Sequence, residues 1–294
     1  MAIHWRFRGT RYLTAPAISR IKCGLLTVVE RPGLDYKRGM RFLLYNVRYC
    51  AGVGRRFHMP FPGSGYLKHT HDVLDQVTAF VGATNPDIVG LVEVDGGSFR
   101  SGRTNQAEYI ASSLGHYHSF CTKYGDRSFV RFFPVANKQM NAFLSSGVIQ
   151  EERFLYFDHG IKRLVIQLEL ERLTVFLVHL SIRFRHRQHQ LCDLYSLVKD
   201  VRKPYLVAGD FNVFWGDPEI ELFLAATGLR SANTHGMPTY PSWAPKRELD
   251  FILHSPGIKV TGLEIPRVTY SDHLPLICDF EVEDGTSAAP SADA

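Results

Sequence analysis

Six short stretches of this sequence place a cation-ligating or proton-transferring side chain beside an apolar run. They are Asn46 in LLYNVRY, Glu93 in IVGLVEVD, His179 in FLVHLS, Asp210 and Asn212 in LVAGDFN, Asp250 in ELDFIL, and Asp272 with His273 in YSDHLPL. One polar residue at a strand end is ordinarily a turn former or a satisfied hydrogen-bond partner. Six in this order predict a single rim at which several strands finish. Carboxylate and amide oxygens suit a hard cation such as Mg²⁺ or Mn²⁺ better than zinc, and imidazoles supply proton-transfer groups. The five cysteines are scattered without a C-x-x-C pair. That pattern argues against a disulfide framework or a thiolate zinc site and sets the expected location as cytoplasmic.

The rim needs strands and helices to build it. Phe42 to Val47 reads as a buried strand, followed by a Gly/Pro-rich loop from Ala51 to Tyr66. Val73, Leu74, Val77, Phe80 and Val81 recur at helical spacing up to Gly82. Asp87–Val94 is a second buried strand, and Ala107, Ile110, Ala111 and Leu114 mark a helix stopped by Gly115. Strand-like runs follow at Ala142–Gln150, Leu164–Leu170 and Leu173–Leu180, the last two joined by Glu171-Arg172 as a tight hairpin. A third helix is predicted around Leu191–Val198, a strand at Tyr205–Ala208 and a short helix at Glu219–Thr227. Strands near Leu249–Leu253, Lys259–Leu263 and Leu276–Val282 complete the pattern. It fits two packed sheets with outer helices in one domain.

With 45% hydrophobic and 21% charged residues, the 294-residue chain is neither disordered nor collagen-like. It has neither the long apolar run of a membrane-spanning helix nor a secretory-signal core near its start. The net charge of +5 is unevenly spread. Residues 1–41 hold nine Lys/Arg against Glu30 and Asp35, about +7, so the remainder is near −2. The expected organisation is a basic extension over 1–40, one domain over 41–282 and a disordered tail over 283–294. The extension reads as a solvated arm, with a membrane surface or another anionic partner as the alternative; no protein partner can be inferred.

The ordered set N…E…H…GDFN…D…SDH resembles the endonuclease/exonuclease/phosphatase, or DNase I-like, superfamily from Arg41 to about Val282. The resemblance implies an α+β fold, a four-layer α/β/β/α sandwich of two mixed β-sheets flanked by helices, and hydrolysis of phosphate esters. It also implies Mg²⁺ or Mn²⁺, one ion or two, held by Glu93 with Asn46 and Asp272. Asp210 would position or deprotonate the attacking water, and Asn212 would bond a phosphate oxygen or nearby ligand. His273 would stand near the phosphate with Asp250 orienting it, and His179 would add a second donor to the phosphoryl oxygens. Leu91-Val92 stand where many members carry a Gln-Glu pair, and a repair-enzyme tyrosine has only Tyr124 as a positional candidate.

The expected activity is that of a phosphodiesterase on a small, lipid-linked or nucleotide phosphodiester. A Mg²⁺-dependent endo- or exonuclease, with nucleic acid as partner, is the alternative, and a non-catalytic binding protein on the same fold the third reading. A polymer-cutting nuclease needs a basic track, and the main body has no net positive excess. Substrate contacts are expected from Arg55 in the Gly/Pro-rich loop, from Arg103 after Glu93, and from Arg183 and Arg185 in SIRFRHRQHQ, with Arg187 and Arg100 close by. In the loop, Arg56 and His58 would meet an anionic headgroup, and Phe57, Met59 and Phe61 would add apolar contact. The stretch TYPSWAPKRELD could flank a substrate or pack over the sandwich edge.

Overall fold

Strand β1 (Met40–Asn46) shows how the sequence divides its layers. Phe42 and Leu44 point into one apolar cluster and Leu43 and Tyr45 into another, so alternate side chains serve opposite faces of one sheet. The computed structural model describes residues 39–53, 71–123, 135–160, 162–216 and 218–283. The basic extension up to residue 38, residues 54–70 with Arg55, Tyr124, and the tail from residue 284 lie outside the described residues.

Besides β1, the first sheet contains β2 (Ile88–Asp95), β3 (Tyr117–Thr122), β4 (Gln139–Ser145), β11 (Ile258–Glu264) and β12 (Leu276–Val282). Their order is β11-β12-β1-β2-β4-β3. The second sheet holds β5 (Glu151–Tyr156), β6 (Leu164–Glu169), β7 (Thr174–His179), β8 (Tyr205–Asp210), β9 (Arg230–Ser231) and β10 (Asp250–His254). Its order is β5-β6-β7-β8-β10-β9. Each sheet contains one parallel pair, β1 with β2 and β7 with β8, among antiparallel neighbours. A parallel pair needs a crossover, and helices supply both: α1 (His71–Thr84) and α3 (Phe184–Val198).

α1 buries Leu74, Val77, Thr78 and Val81, the i, i+3, i+4, i+7 stripe of a surface helix. With α2 (Gln106–Leu114) it covers the outer face of the first sheet. α3 and α4 (Pro218–Thr227) cover the second. The central cluster joins Phe42, Leu44, Val92 and Phe143 to Ile166, Leu177, Ala208 and Ile252 between the sheets. Each large side chain fully buried there contributes roughly 1.5–3 kcal/mol of transfer free energy. The result is the α/β/β/α sandwich that the motif order implies.

Two local expectations need correction, and two strands went unread. The run at Ala142–Gln150 is not one strand: β4 starts earlier and ends at Ser145, and a separate strand, β5, starts at Glu151. The unread strands are β3 and β5, which carry no continuous apolar run because, as edge strands, they are only half-buried. Arg100 and Arg187 do not line the rim. Arg100 is buried against Asp95 at 2.8 Å, and Arg187 is fully buried against Glu219 and the carbonyls of Ser181 and Ile182.

Candidate active site

Register in the second sheet sets half of the rim. In the parallel pair, His179 lies opposite Asp210; in the antiparallel pair, Asp250 lies opposite the same Asp210. Three strands therefore present a functional side chain at one level. The close approach is permitted by Gly209, at φ +149°, where a Cβ would stand 1.9 Å from the Val178 carbonyl oxygen. In the first sheet, β1 ends on Asn46, opposite Val92. Glu93 sits in a β-bulge, where the β2–β4 register shifts between Leu91 and Val94, and its φ is +59°. The bulge frees its N–H from the regular ladder, and the buried Asn141 side chain accepts it at 3.3 Å.

Asp210 is the hub. Its Oδ2 accepts from Asn46 Nδ2 at 3.1 Å, which links the two sheets, and its Oδ1 accepts from the Asn212 N–H at 3.0 Å. Oδ2 also lies 3.3 Å from His179 Nε2 and 3.9 Å from His273 Nε2. Asn212, itself at φ +53°, donates its side-chain amide to the Leu180 carbonyl at 3.0 Å. His273 Nδ1 meets Asp250 Oδ2 at 2.8 Å, and the Thr239 hydroxyl donates to that oxygen at 2.7 Å. Burial alone would lower the His273 pKa, but the carboxylates of Asp250 and Asp210 raise it to about 10. At neutral pH it is an imidazolium. Asp250 Oδ1 is buried without a hydrogen-bond partner.

The Glu93 side is cationic. Glu93 Oε1 lies 3.5 Å from both Lys123 Nζ and Lys162 Nζ. Burial would raise its pKa; the two ammoniums, with His273 and Arg48, hold it at about 2. Lys123 also approaches the Tyr49 hydroxyl at 3.1 Å and His179 Nδ1 at 3.2 Å, and burial pushes its pKa down to about 8 despite Glu93. Lys162 contacts His179 Nε2. Burial and then these two lysines depress the His179 pKa well below its ordinary value, so His179 is neutral. Asp272 meets Arg48 Nε at 3.5 Å and the Ser271 hydroxyl at 3.3 Å. Arg48, Tyr49 and Cys50 run through the left-handed region at φ +46°, +57° and +53°.

The structure thus joins Asn46, His179, Asp210 and Asn212 directly, pairs Asp250 with His273, and links Glu93 to His179 through the lysines. Arg103, Arg183 and Arg185 are exposed surface residues. Asn105 caps α2 through the N–H groups of Ala107 and Glu108, the ordinary capping role. Around His273, the Tyr240 ring centroid lies 4.9 Å away and Phe214 packs edge-on against Tyr240, so TYPSWAPKRELD flanks the site. Lys123, Lys162, Tyr49, Asn141 and Thr239 are not legible as site residues in the sequence. Lys123 follows the half-buried strand β3, and Asn141 lies inside the buried strand β4 opposite the bulge of β2, so spacing gave no signal for either.

Two mixed sheets between helix layers, with Asp, His and Asn side chains at one strand-end rim, make up an α/β/β/α sandwich of the DNase I-like type. The chain belongs to the Endonuclease/Exonuclease/phosphatase family, whose model matches residues 43–273. Members of that family are generally hydrolases of phosphoesters and typically use divalent metals. Among curated proteins it is similar to the uncharacterized protein YbhP of Escherichia coli (strain K12), 32% identical over 159 residues. That match covers 48% of this chain and 62% of YbhP, so the chain spans less than two thirds of that relative. Its fold is similar to the human Nocturnin catalytic domain solved with a bound sulfate anion, at a TM-score of 0.63 and 20% identity, over 84% of this chain and 95% of that one. Danio rerio TDP2 complexed with a single-strand DNA product aligns at 0.59 and 14%, over 83% and 99%. A Bacteroides thetaiotaomicron mannosyl-6-phosphatase aligns at 0.60 and 15%, over 82% and 99%.

Proposed function

We propose that this protein is a divalent-metal-dependent phosphodiesterase acting on a small, lipid-linked or nucleotide phosphodiester. The observation that carries it is Asp210, a buried carboxylate held by Asn46 and Asn212 with the His273 imidazolium 3.9 Å away. An anchored base beside a fixed cationic donor is what attack of water on a phosphate requires.

The donor set fits a hard cation. Glu93, Asp272 and Asn46 supply carboxylate and amide oxygens, and the contacts of Glu93 and Asp272 with Lys123, Lys162, Arg48 and Ser271 are long, 3.3–3.5 Å. Asp210, Asp250 and His273 also gather ligand atoms within 4.8 Å of one another. There, however, the His273 imidazolium already supplies positive charge to both carboxylates, which favours the Glu93 side. A Mg²⁺ or Mn²⁺ ion held by Glu93, Asp272 and Asn46 would neutralise charge on the phosphate.

The side chains divide the remaining work. Asp210 orients the water and accepts its proton. His273, kept charged by Asp250, donates to a phosphoryl oxygen, while Thr239 fixes the Asp250 oxygen that orients the ring. Lys162 and Arg48, less buried than Lys123, would meet the phosphate. Arg55, Arg103, Arg183 and Arg185 would act farther out, on the rest of the substrate. The exposed Trp215 and Trp243 favour a second reading, a nuclease for single-stranded nucleic acid, because exposed aromatic faces stack on bases. A screen of bis-p-nitrophenyl phosphate, phospholipids, single-stranded RNA and plasmid DNA with Mn²⁺ or Mg²⁺ tests both. Turnover of the small diester, lost on chelation and in Asp210→Asn, is the expected result. A metal-independent activity, or none on any phosphodiester, would remove the proposal.

A further inference from the structure

We propose that two loops beside the rim form a surface that docks on an anionic lipid bilayer, with Ile182, Phe184 and Trp215 entering it and Arg183 and Arg185 meeting its headgroups. The proposal deepens the phosphodiesterase reading above and rests on it for the substrate, a diester met at the membrane.

The loops leave adjacent site strands. One runs from His179 at the end of β7 to Phe184 at the start of α3, and the other follows Asp210 at the end of β8. An ion pair outside the catalytic set bolts them together. Arg187, fully buried, donates from Nη1 to the carbonyls of Ser181 and Ile182 at 2.8 and 2.9 Å, and from Nε to Glu219 Oε2 at 2.8 Å. The other oxygen of Glu219 accepts the Trp215 N–H at 2.8 Å. At the base, the Asn212 amide joins the second loop to the Leu180 carbonyl of the first. A buried ion pair is favourable only when further hydrogen bonds satisfy it, and here the backbones of both loops supply them.

What this scaffold holds up is apolar. Trp215 is 76% exposed, Ile182 57% and Phe184 47%, although the backbone beneath them is fixed. Large apolar side chains displayed on loops locked to one another mark an interaction surface. Arg183 and Arg185 beside them are exposed. Residues 180–187 and 211–216 contain no acid, and Arg187 neutralises Glu219. That balance fits a negatively charged surface, where each arginine strengthens binding roughly fivefold. Aromatic and aliphatic groups flanked by arginine are the composition of an interfacial anchor. Nucleic-acid bases would stack on the two aromatic rings but not on Ile182, so the aliphatic exposure favours lipid.

The chain has three tryptophans, Trp5, Trp215 and Trp243, so Trp5→Phe with Trp243→Phe leaves Trp215 as the sole one in the full chain. On vesicles of phosphatidylcholine and phosphatidylglycerol with brominated acyl chains, its emission should shift to the blue and be quenched, and less so on phosphatidylcholine alone. In the otherwise native chain, Ile182→Ser with Phe184→Ser should weaken partition onto the same vesicles roughly tenfold or more. Turnover of bis-p-nitrophenyl phosphate should be unchanged in that variant. Residues 1–41 alone carry about +7, so vesicle binding in which Trp215 stays unquenched would assign the binding to that segment and overturn the proposal. Quenching by a single-stranded oligonucleotide but not by brominated lipid would overturn it in favour of the nucleic-acid reading. Quenching by lipid without turnover of any phosphodiester would uphold the surface and remove the phosphodiesterase reading. Either measurement decides alone should the other variant fail to fold.

Discussion

The two parallel strand pairs, β1 with β2 and β7 with β8, do the same job by opposite means. Each is a β–α–β unit whose strands end at the rim. In the second sheet the ladder is regular, and His179, Asp210 and Asp250 face one another because register puts them there. In the first sheet regular geometry is abandoned. Glu93 leaves the ladder in a bulge, and three consecutive residues after Val47 adopt left-handed backbone. Such conformations cost L-residues roughly 1–2 kcal/mol each. They are held by bonds that reach across the fold: Gln106 to the Tyr49 carbonyl at 2.9 Å, and Arg100 over the Tyr49 ring. The difference separates a regular set of carboxylates and imidazoles from a strained side around Glu93, and strain of this kind gathers where function over-determines the backbone.

The contrast can be broken most severely at the regular sheet. Asp210→Asn should lower kcat by roughly 10²–10⁴-fold with a small change in KM, as expected for a group acting in the transition state. Steady-state kinetics on a chromogenic diester check this, and a near-normal kcat would make Asp210 a structural turn residue. Gly209→Ala should cost about 3 kcal/mol or more, because the added methyl meets the Val178 carbonyl, a backbone atom that cannot swing aside. Urea unfolding measures that loss, and a stability unchanged from wild type would show that the two strands can separate freely.

The strained sheet should respond more gently. Asn141→Ala removes the side chain that accepts the Glu93 N–H, and should cost about 1–3 kcal/mol while weakening Mn²⁺ binding more than it lowers thermal stability. Equal losses in both would deny the bulge any special part in aiming Glu93. The last effect is a change of pH slope. His273 has a folded pKa of about 10, above its ordinary value of 6.5, so the folded state binds more protons between those limits. Its contribution to stability is therefore complete below about pH 6.5 and lost as pH rises through 10. Asp250→Asn should flatten that decline, as seen in melts across the range; an unaltered slope would mean that Asp250 does not hold the imidazolium.

How legible the site was follows the same division. Asp210, Asn212 and Asp250 could be read from GDFN and ELDF because these motifs sit on short, strongly apolar strands whose register then aligns them. The Asp272-His273 pair was legible as SDH, and its bond to Asp250 lies 23 residues back along the chain. Lys123 was invisible. It follows β3, a half-buried edge strand with little apolar pattern, and only packing against β2 and β7 turns an ordinary lysine into a buried cation. Arg187 shows the reverse: a basic run suggested a phosphate grip, and the helix turned that side chain inward to Glu219.

By itself, the sequence determined the alternation of strands and helices, the two-sided burial of the central strands and the identity of the polar groups at their ends. These are local properties, set by side-chain periodicity and by which residues interrupt it. Only the tertiary structure decided which ends meet, that Asn46 spans the sheets to reach Asp210 across 164 residues, and that Glu93 faces two ammoniums. Those outcomes depend on the stacking of one sheet upon the other and on a bulge whose partner, Asn141, lies 48 residues away. No window of sequence contains both sides of such a contact, and the energy that selects it comes from burying the apolar faces around it.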